Sequence, residues 1–302
     1  MASSNGADQA ALDRSYKVMQ PADPADAGRI LKEAKHIMDQ LGVSFFLRQG
    51  TCLGAIRDNG FISWDDDLDL GSVIGLHGFT EKSIDPVVTA FRDNGHFVKV
   101  DRYDHYVAVT TIKASIRTDW ACYKILDDSI FHFPGIRIPV RLLTQLKEID
   151  FIGEKFLVPD PPEEYLRLKY GDDWMIPKQK GYEKDILQLI PAAPIPGRPG
   201  RLRQLLGKYT HPDHVCRLKV LDGRGEPVSG ADVIVPGLGR FKTNKRGDAK
   251  FYLDGEEWYA LIISYGNHEE ILYQEMLAPG SSYIYRPDPS TVSGRLCALS
   301  VE

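Results

Sequence analysis

The sequence predicts an α/β domain with a mixed sheet over residues 25–190, followed by an all-β sandwich over 214–302. Three observations carry this reading. The first half runs helix, strand, glycine turn, helix and acidic strand, and strands outnumber helices thereafter, an order that suits a mixed sheet better than a doubly wound parallel one. Residues 191–213 are Pro- and Gly-rich and then basic, which is linker composition with room for one short helix. Beyond Val215, six or seven short strands follow one another between glycine turns. A chain of 302 residues is long enough for two such domains, each with its own apolar core.

The N-terminal 24 residues are small and polar at first and read as frayed. A helix enters through Pro24-Ala25-Asp26, repeats Ile30, Leu31, Ala34, Ile37, Met38 and Leu41 at helical spacing, and stops at Gly42. Val43–Leu47 is a short strand that delivers the chain to Gly50-Thr51, where a second short helix through Leu53, Ala55 and Ile56 begins. After the Asn59-Gly60 turn comes FISWDDDLDLG. As a strand, Asp67–Leu70 sends Asp67 and Asp69 to one face and Leu68 and Leu70 into the core. A helix over Val87, Val88 and Phe91 precedes strands at His96–Asp101, His105–Lys113 and Asp119–Leu126. Ile149–Pro159 reads as a hairpin turning at Gly153-Glu154, and Pro161-Pro162 opens a helix that ends at Tyr170-Gly171.

Composition narrows the function classes. A hydrophobic content of 43% and a charged content of 26% are those of a globular protein, and a net charge of −5 lacks the basic footprint of a general nucleic-acid binder. Cys52, Cys122, Cys216 and Cys297 form no CxxC pair, so no structural zinc site is indicated and all four read as buried thiols. The absence of an apolar leader or a long apolar run gives a cytoplasmic expectation. Basic residues Arg198, Arg201, Arg203 and Lys208 leave peripheral contact with an anionic inner membrane surface open.

Chemistry concentrates in Asp65, Asp66, Asp67 and Asp69. Alone, three consecutive aspartates describe a solvated turn. Between apolar neighbours they repel one another and call for a cation. Mg²⁺ takes carboxylate oxygens while keeping positions for substrate phosphates, and two carboxylates one strand period apart suit it; Mn²⁺ is the other candidate. Gly50-Thr51 at a helix start offers backbone N–H groups to a phosphate, and Arg57 could add charge-assisted contacts. Arg48, Lys113, Arg117 and Lys124 are further phosphate candidates, although each reads first as a surface charge. Asp119, on a later strand, is the candidate third acid and base for an acceptor hydroxyl. Trp64, Trp120 and Trp174 read as core residues or as walls of a nucleoside pocket.

GTCLGAIRDNGFISWDDDLDLG at 50–71 closely resembles the LicD/fukutin-type family of the nucleotidyltransferase superfamily, and YGDDWMIP at 170–177 is similar to that family's second signature. By position, Gly50 and Thr51 match the superfamily's glycine turn, Asp67 and Asp69 its metal-binding acids, and Arg57 and Asp66 further donor-binding motif positions. The resemblance implies a nucleotidyltransferase fold and a metal-dependent phosphotransferase. Such an enzyme would move a phospho-substituent, of phosphocholine or phospho-alditol type, from a CDP-linked donor to a glycan or glycolipid hydroxyl, releasing CMP. Ser63 stands where the family often has proline, and the segment around Asp119 departs from the family's Ile-Asp-hydrophobic-Pro pattern. Residues 215–287 are similar to carboxypeptidase-regulatory-like or transthyretin-like sandwiches, which implies an accessory role. Two other readings stay open: a nucleotidyltransferase moving a nucleoside monophosphate to a small molecule, protein or RNA, and a catalytically inactive glycan-binding protein.

Overall fold

The computed structural model describes residues 9–12, 14–16, 20–288 and 294–302. It divides into two units: residues up to Phe131 together with Arg137–Met175, and His132–Ile136 together with Ile176–Glu302. Much of the expected frayed N-terminus (1–8, 13 and 17–19) lies outside the described residues. Residues 9–12 and 14–16 are helical, and Leu12 among them is fully buried.

The first unit begins with α1 (Pro24–Gln40), whose N-cap Asp23 accepts from the N–H groups of Ala25 and Asp26 at 2.9 and 3.0 Å. Ala27, Ile30, Leu31, Ala34, Ile37 and Met38 form its buried face. Leu41, assigned to that face by periodicity, is instead the C-cap and is exposed, because the helix ends before it completes the turn. The chain then forms β1 (Phe46–Leu47), α2 (Gln49–Leu53) and a π-helical turn, Gly54–Asp58. Next come β2 (Asp67–Val73), α3 (Ile84–Asp93), β3 (Phe97–Arg102), β4 (Tyr106–Lys113) and β5 (Ile116–Tyr123).

These strands make one sheet in the order β1-β2-β5-β4-β3. Only β2 and β5 pair in parallel; the other three pairings are antiparallel. The sheet is therefore mixed, as the order of elements predicts. Strand β5 starts three residues earlier than the sequence indicates, because Ala114 and Ser115 turn the chain in two residues, both left-handed (φ 50° and 63°). Neither residue is a usual signal for such a turn.

Two hairpins complete this part of the chain, β6–β7 (Ser129–His132 and Ile136–Pro139) and β8–β9 (Leu146–Phe151 and Glu154–Pro159). Between them lies the single turn α4 (Arg141–Thr144), and after them α5 (Pro162–Tyr170). The first hairpin is absent from the sequence reading. The second turns at Ile152-Gly153, one residue earlier than predicted.

In the second unit α6 (Tyr182–Gln188) is tied to later strand residues: Lys184 to Glu269 at 2.8 Å, and the Tyr182 ring to Tyr273 at 6.0 Å. These contacts are why 176–190, assigned to the first domain from sequence, group with the second unit. Within the stretch assigned as linker, Arg201–Thr210 is a regular helix, α7.

Among the described residues nine strands follow: β10 (Val215–Val220), β11 (Asp232–Val235), β12 (Gly239–Lys242), β13 (Asp248–Tyr252), β14 (Glu257–Tyr265), β15 (His268–Leu277), β16 (Ser282–Tyr285), β17 (Arg295–Leu296) and β18 (Ser300–Val301). They form two sheets, β13-β10-β16-β18 and β12-β11-β14-β15-β17. One apolar core is shared between the sheets, with Leu218, Phe251 and Tyr285 from the first and Val233, Leu261 and Leu272 from the second. No helix among the described residues is long and apolar enough to cross a membrane.

Candidate functional site

The centre of the first unit is the parallel pair β2–β5. Period-two alternation places Leu68 and Leu70 fully in the core, and turns Asp67 and Asp69 to the opposite face. Register sets Asp69 beside Asp119 and Asp67 beside Arg117. Asp119, the candidate third acid, thus lies beside the acidic strand, although it stands 50 residues further along the chain than Asp69.

Gly50 and Thr51 hold the other side of Asp69. The Gly50 N–H donates to Asp69 Oδ2 at 3.1 Å, and Thr51 Oγ1 accepts from the Asp69 N–H at 2.8 Å. Thr51 is buried, so its hydroxyl fixes the acidic strand against the helix turn. The preceding residue, Gln49, is left-handed (φ 41°), and its N–H donates to the Tyr165 hydroxyl at 2.9 Å. A Cβ on Gly50 would lie 2.3 Å from Asp65 Oδ2. Any side chain at position 50 would therefore displace the Asp65 carboxylate, which packs directly against the glycine. Oxygen atoms of Asp65, Asp66 and Asp67 come within 4.8 Å of one another, which makes these three the closest-grouped potential ligands, whereas the sequence points to Asp67 with Asp69.

Two arginines run through this acidic group. Arg48 reaches Asp69 Oδ1 at 2.9 Å and donates to the carbonyls of Leu70 and Asp119 at 2.8 and 3.1 Å. Arg117 pairs with Asp67, stands 3.2 Å from Asp119 Oδ2 and 3.1 Å from Asp66 Oδ2, and covers the Tyr16 ring at 4.7 Å. Both are 6% exposed, so neither is the surface charge the sequence suggests. Tertiary pairing buries them, and no local pattern marks them out. Lys113, by contrast, is spent on Glu33, and Arg57 forms a bidentate pair with its neighbour Asp58 at 2.8 and 2.7 Å. Trp120 is core: it is 1% exposed and its indole N–H donates to Ser72 at 3.0 Å. Trp174 is also buried, whereas Trp64 is half-buried. Of the four cysteines, Cys52, Cys122 and Cys216 are buried as expected; Cys297 is exposed.

Five carboxylates against two guanidiniums leave a local excess of negative charge. Burial, then repulsion from Asp67, raises Asp66 to about 6. Burial raises Asp69 to about 7 with Asp67 and Asp119 adding to it, although Arg48 opposes the shift. Asp65 and Asp119 are raised for the same first reason. Burial alone would lower Arg117, but Asp67, Asp119 and Asp66 hold it well above the usual guanidinium value. Lys169, fully buried and overlooked in the sequence, is lowered by burial to about 7, against the pull of Asp69. Asp119 Oδ1 is buried without a well-formed hydrogen bond among the described residues, with the Thr110 hydroxyl on the paired strand its nearest help. Oxygen-only donors, surplus negative charge and a poorly satisfied carboxylate oxygen fit a hard divalent cation.

Residues 42–160 match the family model described as LicD/FKTN/FKRP, nucleotidyltransferase domain. A stretch of 74 residues is 28% identical to an uncharacterised protein of Rickettsia prowazekii (strain Madrid E), covering 24% of this chain and 26% of that protein. The chain thus aligns with about a quarter of that relative's length. The glycine turn, strands β2 and β5 and the two buried arginines all fall inside the region, residues 42–160, that matches the LicD/FKTN/FKRP nucleotidyltransferase-domain model.

Proposed function

We propose that this protein is a metal-dependent phosphotransferase that moves a phospho-substituent, of phosphocholine or phospho-alditol type, from a CDP-linked donor to a glycan hydroxyl. The family match points to transferase chemistry. The observation that carries the reading further is the β2–β5 register, which sets Asp119 beside Asp69 and opposite a glycine turn whose N–H already binds a carboxylate oxygen. Mg²⁺ or Mn²⁺ would be held by Asp67 and Asp69, with Asp65 and Asp66 adjoining, and would supply neutralisation of the donor's diphosphate charge. Gly50, Thr51, Arg57 and Asp66 belong to the donor side on this reading.

The chain's own residues divide the remaining work. Arg48 and Thr51 fix the Asp69 carboxylate and backbone in place. Arg117 spaces Asp66, Asp67 and Asp119 around one guanidinium. Asp119, made more basic by burial, against the pull of Arg117 and with Asp67 adding to the rise, accepts the acceptor's hydroxyl proton. The freed oxygen bonds to the substituent-bearing phosphorus, the bond from that phosphorus to the CMP oxygen breaks, and CMP leaves with the electron pair. Positioning and charge neutralisation then account for most of the rate.

CDP-choline, CDP-glycerol and CDP-ribitol assayed for metal-dependent CMP release test the proposal. Asp67→Asn and Asp69→Asn should lose release by at least ~100-fold while keeping the fold. Full activity in either variant overturns the assignment. Label from the α-phosphate of a nucleoside triphosphate appearing on the acceptor would instead mean nucleoside monophosphate transfer, and absence of any donor turnover would favour a glycan-binding role.

A further inference from the structure

Helix α7 is built the wrong way round for a surface helix. Its buried contacts come from Gln204 and Gly207. Gln204 donates to the Tyr252 carbonyl at 2.7 Å and accepts from the Tyr252 N–H at 2.9 Å, and Gly207 lies so close to the Tyr252 ring that a Cβ would be 2.6 Å from it. The apolar residues face outward: Leu202 is 69% exposed, Leu205 64%, Leu206 54% and Tyr209 86%. They recur at i, i+3, i+4 and i+7, so at about 100° per residue they form one continuous stripe on the side opposite the packed face. Large side chains left together in water mark a docking surface. An open groove of about 360 Å³ adds to it, with Leu202 and Leu206 on the helix side and Arg203 and His211 at its edges.

Charge identifies the occupant. At the same angular spacing Arg201 flanks one edge of the stripe and Arg203 the other, whereas Lys208, on the Arg201 edge, turns its ammonium back to the Lys250 carbonyl at 2.9 Å; no acidic residue lies between residues 201 and 210. Arg203 holds Asp254 at 2.8 Å from an exposed position, a partner exchangeable for a phosphate oxygen. A stripe of leucine and tyrosine bordered on both sides by basic residues matches the boundary of an anionic bilayer, where the leucines enter the acyl region and the cations meet phosphate. The same borders oppose a second copy of this chain, since basic rows would meet basic rows.

We propose that α7 docks this protein reversibly on anionic membrane surfaces. The proposal is independent of the chemistry in the first unit. The full chain is sedimented with vesicles of phosphatidylcholine alone and of phosphatidylcholine with phosphatidylglycerol in equal parts. Partition should favour the anionic vesicles. Leu205→Gln should lower it roughly ten-fold, from the transfer free energy of one leucine, and Arg201→Gln roughly five-fold on the anionic vesicles alone. Leu202→Gln reads the same face as a second variant, and unchanged melting temperatures show that these exposed positions do not support the fold. No vesicle binding, equal binding to both lipids, or unchanged binding in the leucine variants overturns the proposal. So does a lipid-free dimer in sedimentation velocity that Leu205→Gln dissociates.

Discussion

Replacing Arg117 by Met tests whether the acidic cluster is held together by its guanidinium. The side chain is 8% exposed and faces Asp66, Asp67 and Asp119, whose side chains are 14%, 15% and 23% exposed. Methionine keeps much of the stem's packing over Tyr16 but removes the guanidinium that ion-pairs directly with Asp66, Asp67 and Asp119, leaving only the longer-range pull of Arg48 on Asp119. Breaking one partner out of a buried ion pair costs about 3–5 kcal/mol, because the remaining charges stay desolvated. For a unit of this size each kcal/mol is worth ~2–4 °C, so the melting transition of the first unit should fall by at least about 6 °C. Differential scanning calorimetry of the full chain reads it directly. Millimolar Mg²⁺ should recover part of the loss by binding the freed carboxylates in the folded state only. A fall worth less than ~1 kcal/mol, the range of exposed ion pairs, would refute the picture of a buried charge cluster organised by Arg117.

Gly50→Ala should leave stability near that of the parent, since better helix propensity of about 1 kcal/mol offsets crowding of similar size. Activity should nonetheless drop by ~100-fold, because the new Cβ, which would lie 2.3 Å from Asp65 Oδ2, displaces that carboxylate; CMP release measured beside a melting curve separates the two effects. Glu275 gives the second unit a pH dependence. Burial raises its carboxyl from 4.5 to about 7, although the N–H groups of Ala298 and Leu299 pull the other way. The folded state keeps this proton through a window in which the unfolded chain has lost it. The contribution of Glu275 to stability is therefore fully present below 4.5 and is lost as pH rises towards 7, by roughly 3 kcal/mol. Urea midpoints on either side of that window should differ in the parent, and the difference should shrink in Glu275→Gln.

Local patterns determined a good deal of this protein. The Ile30, Leu31, Ala34, Ile37 and Met38 spacing defines the buried face of α1, and the Asp67-Leu68-Asp69-Leu70 alternation decides which side chains enter the core, because both depend only on the pitch of one element. The motif at 50–71 lies inside the region that matches the LicD/FKTN/FKRP model. Pairing between distant segments decided the rest. Nothing near Asp119 announces that β5 lies parallel to β2, and only that register places it at Asp69 and Arg117 at Asp67. Arg48 and Arg117 read as surface charges because an arginine's burial is set by the carboxylates that surround it, and these come from other strands. Likewise, the leucines of α7 lie in a stretch that reads as linker, and only the packing of Gln204 and Gly207 against Tyr252 turns them outward on a regular helix. Periodicity fixes which residues share a face, while the choice of face to bury belongs to the neighbours that the fold supplies.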